Sequence, residues 1–425
     1  MKRKLVESIF FNYIGTIAAA IGPLLVVPVY LTELGKAQWG LMSVVITIVA
    51  LLIMVDGGLS QVLMREFSLR AREHGRYSLP LRSLWASCRL LYGILAIVCG
   101  SILVVFGKSI AQHWLNLGSE IDPDEATRVL MLSGLLVTVQ LFAALPRSML
   151  LALDLYRSLN ISIALAHALR FGVGAMVAWT THSLQCLLLW YLAVALAEGG
   201  LRHSMARRSI AMHASKERAS WSEIGRLLPG TMAMSLAVVL SGLTTQMDKL
   251  ILSKMVALEQ VGVYVIASSV ALGLLSLTYP LIHAIFPALL AVQRDKRQIR
   301  KIFLNWLAVA ALAAIAVMAF YAGLGEAMLT LWLRNSDTAA AVFPVLFVLL
   351  VGTSLNVIYQ VGYIGWMLEA NYRMPLIVNA ISMGLTLLIA PMLIGEYGIL
   401  GAAAGWLFIN TLGLLFSLSW FRKTI

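Results

Sequence analysis

Charge is scarce in this 425-residue chain: Asp, Glu, Lys and Arg together make up 12% of it. A soluble domain carries about 25%, so the usual hydrated surface is missing. Acids are scarcer than bases, 20 against 32, which leaves a formal net charge of +12. Cysteine is scarcer still. Cys88, Cys99 and Cys186 all lie in or beside apolar runs with no CxxC or other ligand spacing, a pattern that predicts neither disulfide nor metal site. No Walker A sequence brings a glycine-rich loop and a lysine to ATP phosphates, and the polar loops are too short to house a nucleotide-binding domain, which argues against direct ATP-driven work. His113, His167, His182 and His283 have no convincing ligand spacing, and His203 and His213 fall in a basic segment. The reading is of a non-enzyme that needs no cofactor.

What the chain has in abundance is apolar sequence: 60% hydrophobic residues and a mean hydropathy of +0.87. A helix needs about 20 apolar residues to cross a bilayer core of about 30 Å. On that measure there are about twelve runs, at 8–31, 41–60, 84–106, 128–153, 159–180, 184–200, 229–252, 262–291, 302–324, 340–366, 375–395 and 399–421. They lack the alternation of an outer-membrane barrel, and helices satisfy their own backbone in lipid. The start, MKRKLVESIFFNYIGTIAAA, has the outline of a signal peptide, but its apolar run continues to Leu31 and predicts an uncleaved first helix.

Short cytoplasmic loops keep Lys and Arg. With the amino terminus inside, Lys2, Arg3, Lys4, Arg65, Arg70, Arg72, Arg76, Arg82, Arg297, Arg300, Lys301, Arg422 and Lys423 all fall on the cytoplasmic side. The acids Glu120, Asp122, Asp124, Glu125, Asp337 and Glu396 fall opposite. Both termini are expected to be cytoplasmic. The segment 201–228 holds Arg202, Arg207, Arg208, Lys216, Arg218 and Arg226 against Glu217 and Glu223. Alone it has the composition of a nucleic-acid-binding arm. Between two trains of apolar runs it reads instead as a basic cytoplasmic linker, with Ser220–Arg226 as a short amphipathic surface helix ahead of Pro229. The expected domains are therefore a lobe at 1–200, a linker at 201–228 and a lobe at 229–425, with no nucleic-acid partner and with membrane lipids as neighbours.

Three pairs of matches support duplication. Gln38-Trp39-Gly40 answers Gln260-Val261-Gly262, Gly107 to Trp114-Leu115 answers Gly325 to Trp332-Leu333, and Tyr156-Arg157 answers Tyr372-Arg373. Their offsets are roughly 216 to 222 residues, in chain order, as an internal repeat requires. Six helices per half is an even number, so the halves enter the membrane in the same orientation, with a site expected between them near the midplane. The fold class is thus all-α and polytopic: about twelve transmembrane helices in two parallel six-helix repeats around a central cavity. The Gly-to-Trp segments read as short turns resting on the outer interface, and Pro280 and Pro287 as kinks in helix eight.

Ionisable residues inside apolar runs are costly, about 2.5–3.5 kcal/mol at the centre of a span for Arg or Lys, and normally face a cavity. Candidates for substrate binding are Arg147, Arg170, Lys249 and Arg89, with Arg170 at the greatest depth. Arg89, Arg147 and Lys249 also admit snorkelling to an interface, and Asp248 with Lys249 admits mutual neutralisation in place. Asp56, in the Asp56-Gly57-Gly58 triplet, and Asp248 are the ion-coupling candidates; Asp56 reads first as a helix end near the cytoplasmic surface. More fixed cations than anions suits an anionic cargo, because guanidinium groups grip phosphate and carboxylate in a fork.

The turn LTELGKAQWG at 31–40, the Asp56-Gly57-Gly58-Leu59 end of helix two, the two Gly-to-Trp-Leu segments and the Glu396 to Gly401 connection resemble polysaccharide-export flippases, the Wzx-type O-antigen translocases of the multidrug/oligosaccharidyl-lipid/polysaccharide superfamily. The resemblance covers nearly the whole chain. It implies two six-helix lobes, alternating access, and an undecaprenyl-pyrophosphate-linked oligosaccharide carried from the cytoplasmic to the periplasmic leaflet of a bacterial inner membrane. Candidate partners are a polysaccharide polymerase and chain-length proteins, and H+ or Na+ is the candidate coupling ion. The alternatives are an ion-coupled multidrug antiporter of the same superfamily and a non-transporting scaffold for polysaccharide assembly.

Overall fold

The computed structural model describes residues 22–211, 219–276, 295–369 and 373–424, and among these the chain is helical with no strand. The helices are α1 (Gly22–Leu34), α2 (Lys36–Ile53), α3 (Asp56–Glu73), α4 (Leu79–Ser109), α5 (Pro123–Ala152), α6 (Tyr156–His167), α7 (Gly174–Thr181), α8 (Leu184–Ser209), α9 (Trp221–Met255), α10 (Leu258–Ser276), α11 (Lys296–Leu333), α12 (Ser336–Leu368), α13 (Arg373–Tyr397) and α14 (Ile399–Thr424). A π-helical turn, Ile110–Trp114, extends α4, and another, Ala168–Val173, joins α6 to α7 without a break. Ten spans among the described residues are long and apolar enough to cross a membrane. The chain is an all-α, multi-pass membrane protein. Most of the first expected helix, with Lys2 to Lys4, lies outside the described residues, as do Lys216, Arg218, Pro280, Pro287 and Tyr372.

The helices outrun the apolar windows because hydropathy measures only the lipid-facing stretch, whereas the i to i−4 ladder stops where a cap stops it. Asp122 accepts from the Asp124 N–H at the start of α5 (3.3 Å), Asp295 from the N–H groups of Arg297 and Gln298 at the start of α11 (3.0 and 3.1 Å), and Asn335 from Thr338 at the start of α12 (2.8 Å). Each cap satisfies donors that would otherwise be orphaned. Four expectations are corrected by this. The Gly107 and Gly325 segments are not separate surface turns: the first is the end of α4 and its π turn, the second the last turns of α11. Asp56 does not end helix two. The ladder lapses at Met54 and Val55, and Asp56 opens α3, which carries Arg65, Arg70 and Arg72. Residues 201–209, read as linker, are the last turns of α8. Ser220–Arg226 is no isolated surface helix, since Trp221 begins a continuous 35-residue helix.

The repeated motifs occupy matching places in these helices. Gln38 is the third residue of α2 and Gln260 the third of α10, while Trp114 and Trp332 stand at the ends of α4 with its π turn and of α11.

The chain divides into two compact units, Met1–Gly242 and Leu243–Ile425. In the first, α4 and α5 touch backbone to backbone: a Cβ at Gly100 would come within 2.5 Å of the Gly134 carbonyl oxygen. In lipid, such small-residue contacts are how helices associate. Leu63, Phe67, Trp85, Tyr92, Met149 and Ile210 form a buried apolar cluster among α3, α4, α5 and the end of α8. Polar ties surround it. Ser68 donates to the Ala152 carbonyl (3.2 Å), Arg76 to the Leu153 carbonyl (3.1 Å), and Arg70 pairs with Glu223 (3.0 Å), holding the first turn of α9. In the second unit, α12 packs on α14 through Gly352, against Trp406 and Leu407, and Gly362, against Ser417. Ile299, Phe303, Tyr359, Trp366 and Val378 form its apolar cluster.

Candidate functional site

A cavity of about 500 Å³ opens within the first unit, walled by α2, α3, α5, α6 with its π turn, and α8. Most membrane interiors are lined by aliphatic residues. This one presents Asp56, Arg147, Arg170, Glu198 and Arg202, with Gln140, Asn160 and His167 between them. Three arginines against two carboxylates leave one formal positive charge in surplus. Because each of these charges is costly in a low-dielectric bundle, their gathering on one cavity is the feature that the fold has to explain.

Arg170 comes from the π turn Ala168–Val173. A π turn inserts an extra residue in the helical ladder and re-aims the side chains that follow, and such turns occur frequently at functional sites. Its guanidinium lies 5.8 Å from the ring centroid of Tyr191 on α8, a cation–π arrangement, and the Tyr191 hydroxyl meets that of Tyr30 at 3.0 Å. Arg170 Nη2 donates to Glu198 Oε2 at 3.3 Å. Glu198 Oε1 pairs with Nη2 of Arg202, one turn along α8, and Arg202 Nε donates to Ser162 Oγ at 3.1 Å. Arg202 is thus held from two sides. Arg170 is held more loosely, and its Nε is buried without a hydrogen-bond partner, as is His167 Nδ1.

Asp56 lies across the same cavity, 9% exposed. One oxygen accepts from the Tyr92 hydroxyl, and the other from Ser60 Oγ at 3.1 Å. Arg147, one residue past Pro146 within α5, is exposed, lines the cavity and lies close enough to Asp56 to act on it electrostatically.

The structure therefore brings together three of the six residues singled out in the sequence: Arg147, Arg170 and Asp56. Arg89 is exposed on α4 and outside the cavity. Lys249 and Asp248 are in the second unit, beside a void of only about 10 Å³, barely the volume that one water requires. Lys249, 5% exposed, donates from Nζ to Gln246 Oε1 (2.9 Å) and the Thr245 carbonyl (3.3 Å). Asp248 accepts from the Tyr264 hydroxyl (2.5 Å) and the Lys249 N–H (2.8 Å). That is a closed, satisfied polar knot. Two cavity residues escaped the sequence reading. Arg202 passed for part of the linker, and Glu198 for the polar end of a span; their i, i+4 spacing on one helix face was the available signal.

Comparison with known proteins adds three findings. The model of a family described as polysaccharide biosynthesis protein matches residues 34–339. No curated protein sequence matches the chain. Among solved structures, a lipid II flippase MurJ in an inward closed conformation is similar with a TM-score of 0.78 at 13% identity, over 98% of this chain and 87% of that one. An inward-facing multidrug resistance MATE family transporter of the MOP superfamily matches at 0.67 and 14% identity, over 98% of this chain and 97% of that one. A MOP superfamily transporter from Pyrococcus furiosus matches at 0.61 and 14%, over 99% and 95%. At these identities the likeness is one of fold.

Proposed function

This chain belongs to the polysaccharide biosynthesis protein family, and from that premise we propose that it is a flippase. Its cargo in this reading is an undecaprenyl-pyrophosphate-linked oligosaccharide repeat unit, carried by alternating access from the cytoplasmic to the periplasmic leaflet of a bacterial inner membrane. The observation that carries the reading is the arginine-rich cavity of the first unit. A diphosphate bears two or more negative charges and presents oxygens that guanidinium groups grip in pairs. Arg170, loosely held, and Arg147, exposed, are the two guanidiniums with capacity for such a ligand. The cavity holds a headgroup rather than a whole lipid, so the saccharide and the prenyl chain extend beyond it.

Asp56 supplies the coupling group in this proposal. A carboxylate beside a cation in a cavity changes the local field when it takes up H+ or Na+, and so links ion movement to cargo release. The same carboxylate favours the second reading, an ion-coupled antiporter of small molecules with this fold. The basic residues on α3, at the end of α8 and on the first turns of α11 support a reading with both termini cytoplasmic, by the positive-inside rule. A polymerase and chain-length proteins would receive the delivered unit.

The test is transport in proteoliposomes containing a fluorescent undecaprenyl-diphosphate oligosaccharide, with leaflet exchange read by quenching from outside. Accelerated exchange of the diphosphate, and none of the dephosphorylated prenol, is the expected result. Equal rates for the two lipids would remove the cationic-cavity reading. Extrusion of lipophilic cations without lipid exchange would favour the antiporter.

A further inference from the structure

The cavity's two inner arginines share one internal anion. Glu198 places one carboxylate oxygen on Arg170 and the other on Arg202, so a single side chain spans two guanidiniums, much as neighbouring oxygens of a phosphate would. The two ends of this bridge are unequal. Arg202 and Glu198 are neighbours on α8, one turn apart, and Arg202 is anchored behind by Ser162. Arg170 arrives from a different helix, through a π turn, on one 3.3 Å hydrogen bond, with its Nε buried and unpartnered. One end of the bridge is built to stay and the other to part.

We propose that Glu198 is a built-in competitor for the cargo's diphosphate: it occupies Arg170 when the cavity is empty, yields it to the diphosphate on loading, and reclaims it to expel the cargo. This rests on the flippase reading above. When diphosphate takes Arg170 and Arg147, Glu198 keeps its neighbour Arg202 and is never left a lone buried anion, which would be prohibitive in this setting. Arg202 is therefore a holder of Glu198 rather than a contact of the cargo. The device answers a problem of every carrier: a cationic pocket strong enough to load a diphosphate is also slow to release it, and an internal anion of matched reach lowers the affinity while preserving selectivity for anions.

The prediction has an unusual sign. Glu198→Gln keeps the size of the side chain and removes its charge, so it should tighten diphosphate binding by about tenfold, the scale of one charge-assisted hydrogen bond, while slowing lipid exchange. Glu198→Asp, one methylene shorter, withdraws from Arg170 while keeping its helix neighbour, and should tighten binding by a smaller factor. Arg202→Gln leaves Glu198 to Arg170 alone and should weaken binding. The probe is farnesyl diphosphate, titrated against the full-length protein in nanodiscs, with inorganic pyrophosphate and phosphatidylglycerol as separate arms. These arms distinguish a prenyl diphosphate from a free anion and from an ordinary lipid headgroup. If the wild type binds farnesyl diphosphate but both Glu198 variants bind it equally or more weakly, Glu198 is only a brace and the inference fails while the flippase reading survives. If the wild type binds no prenyl diphosphate, both fall. If Glu198→Gln proves unstable in detergent, Glu198→Asp carries the test, because a brace shortened by one methylene would not gain affinity.

Discussion

The two compact units each hold an aspartate that accepts from a tyrosine hydroxyl, the buried Asp56 from Tyr92 and the half-buried Asp248 from Tyr264. Each aspartate has a basic residue nearby, Arg147 for the first and Lys249 for the second. The chemistry is alike and the surroundings differ. Asp56 faces about 500 Å³ shared with three arginines, whereas Asp248 faces a void of about 10 Å³ lined by Tyr264, Leu349 and Trp406. A charge inside a membrane bundle is costly in either setting. Space decides what that cost can support: with room it supports binding, and without room it can only hold helices together.

The sharpest way to break this contrast is to remove the cavity's cations. Arg147→Ala with Arg170→Ala should reduce lipid exchange to the protein-free background, a loss of about 100-fold or more if each of the two forked contacts contributes about 1.5–3 kcal/mol. Lys249→Met should leave the exchange rate per folded molecule within a few-fold of wild type. Should Lys249→Met abolish exchange in well-folded protein, the assignment of roles to the two units is reversed.

Next in size is a stability effect confined to the second unit. Lys249→Met removes the buried cation beside the half-buried Asp248 carboxylate and should cost about 3 kcal/mol, the scale for breaking one side of a buried pair. Asp248→Asn with Lys249→Met removes both charges and should recover most of that loss. Thermal unfolding in detergent reads both, and a double variant less stable than the single would refute the knot. Smaller again is the α4–α5 contact. Gly100→Val has to push against the Gly134 carbonyl and the Thr138 side chain and should cost about 2 kcal/mol, as overpacking does. Gly93→Val, on the same helix with open space around its Cα, should be close to neutral.

Much of this was legible in the sequence, for definite reasons. The spans were readable because apolar runs of the required length have few other uses. Arg170 was readable because a lone arginine in the middle of such a run has nowhere to snorkel. Glu198 and Arg202 were not. Gly199 and Gly200 follow the glutamate, and Arg202, Arg207 and Arg208 look like a loop when counted by charge. Only the continuation of α8 to Ser209 puts Glu198 and Arg202 on one face. The π turn under Arg170 leaves no mark in composition or spacing. The difference between Asp56 and Asp248 was likewise out of reach, because each reads as an acid near a base and the volume beside it is set by residues far along the chain, such as Leu349 and Trp406.

Arg89 sharpens the comparison from a third position, neither in a cavity nor in a knot. It is exposed on α4, close to His203, whose ring lies 5.7 Å from Trp85 and 6.0 Å from Phe142. A long side chain on the outside of the bundle lays its methylenes along apolar surface and keeps its head in the interfacial region. Such a charge contributes to topology through the positive-inside bias and to lipid contact at about 1 kcal/mol near an anionic surface. Neither contribution enters the exchange step. Arg89→Ala should therefore leave lipid exchange within about twofold, on the scale of one surface charge, and should lower only the association of the protein with anionic lipid, measured by co-purified phosphatidylglycerol. A tenfold loss of exchange would mean that cargo reaches the cavity along α4, and that the charge on the bundle surface belongs with Arg147 and Arg170 after all.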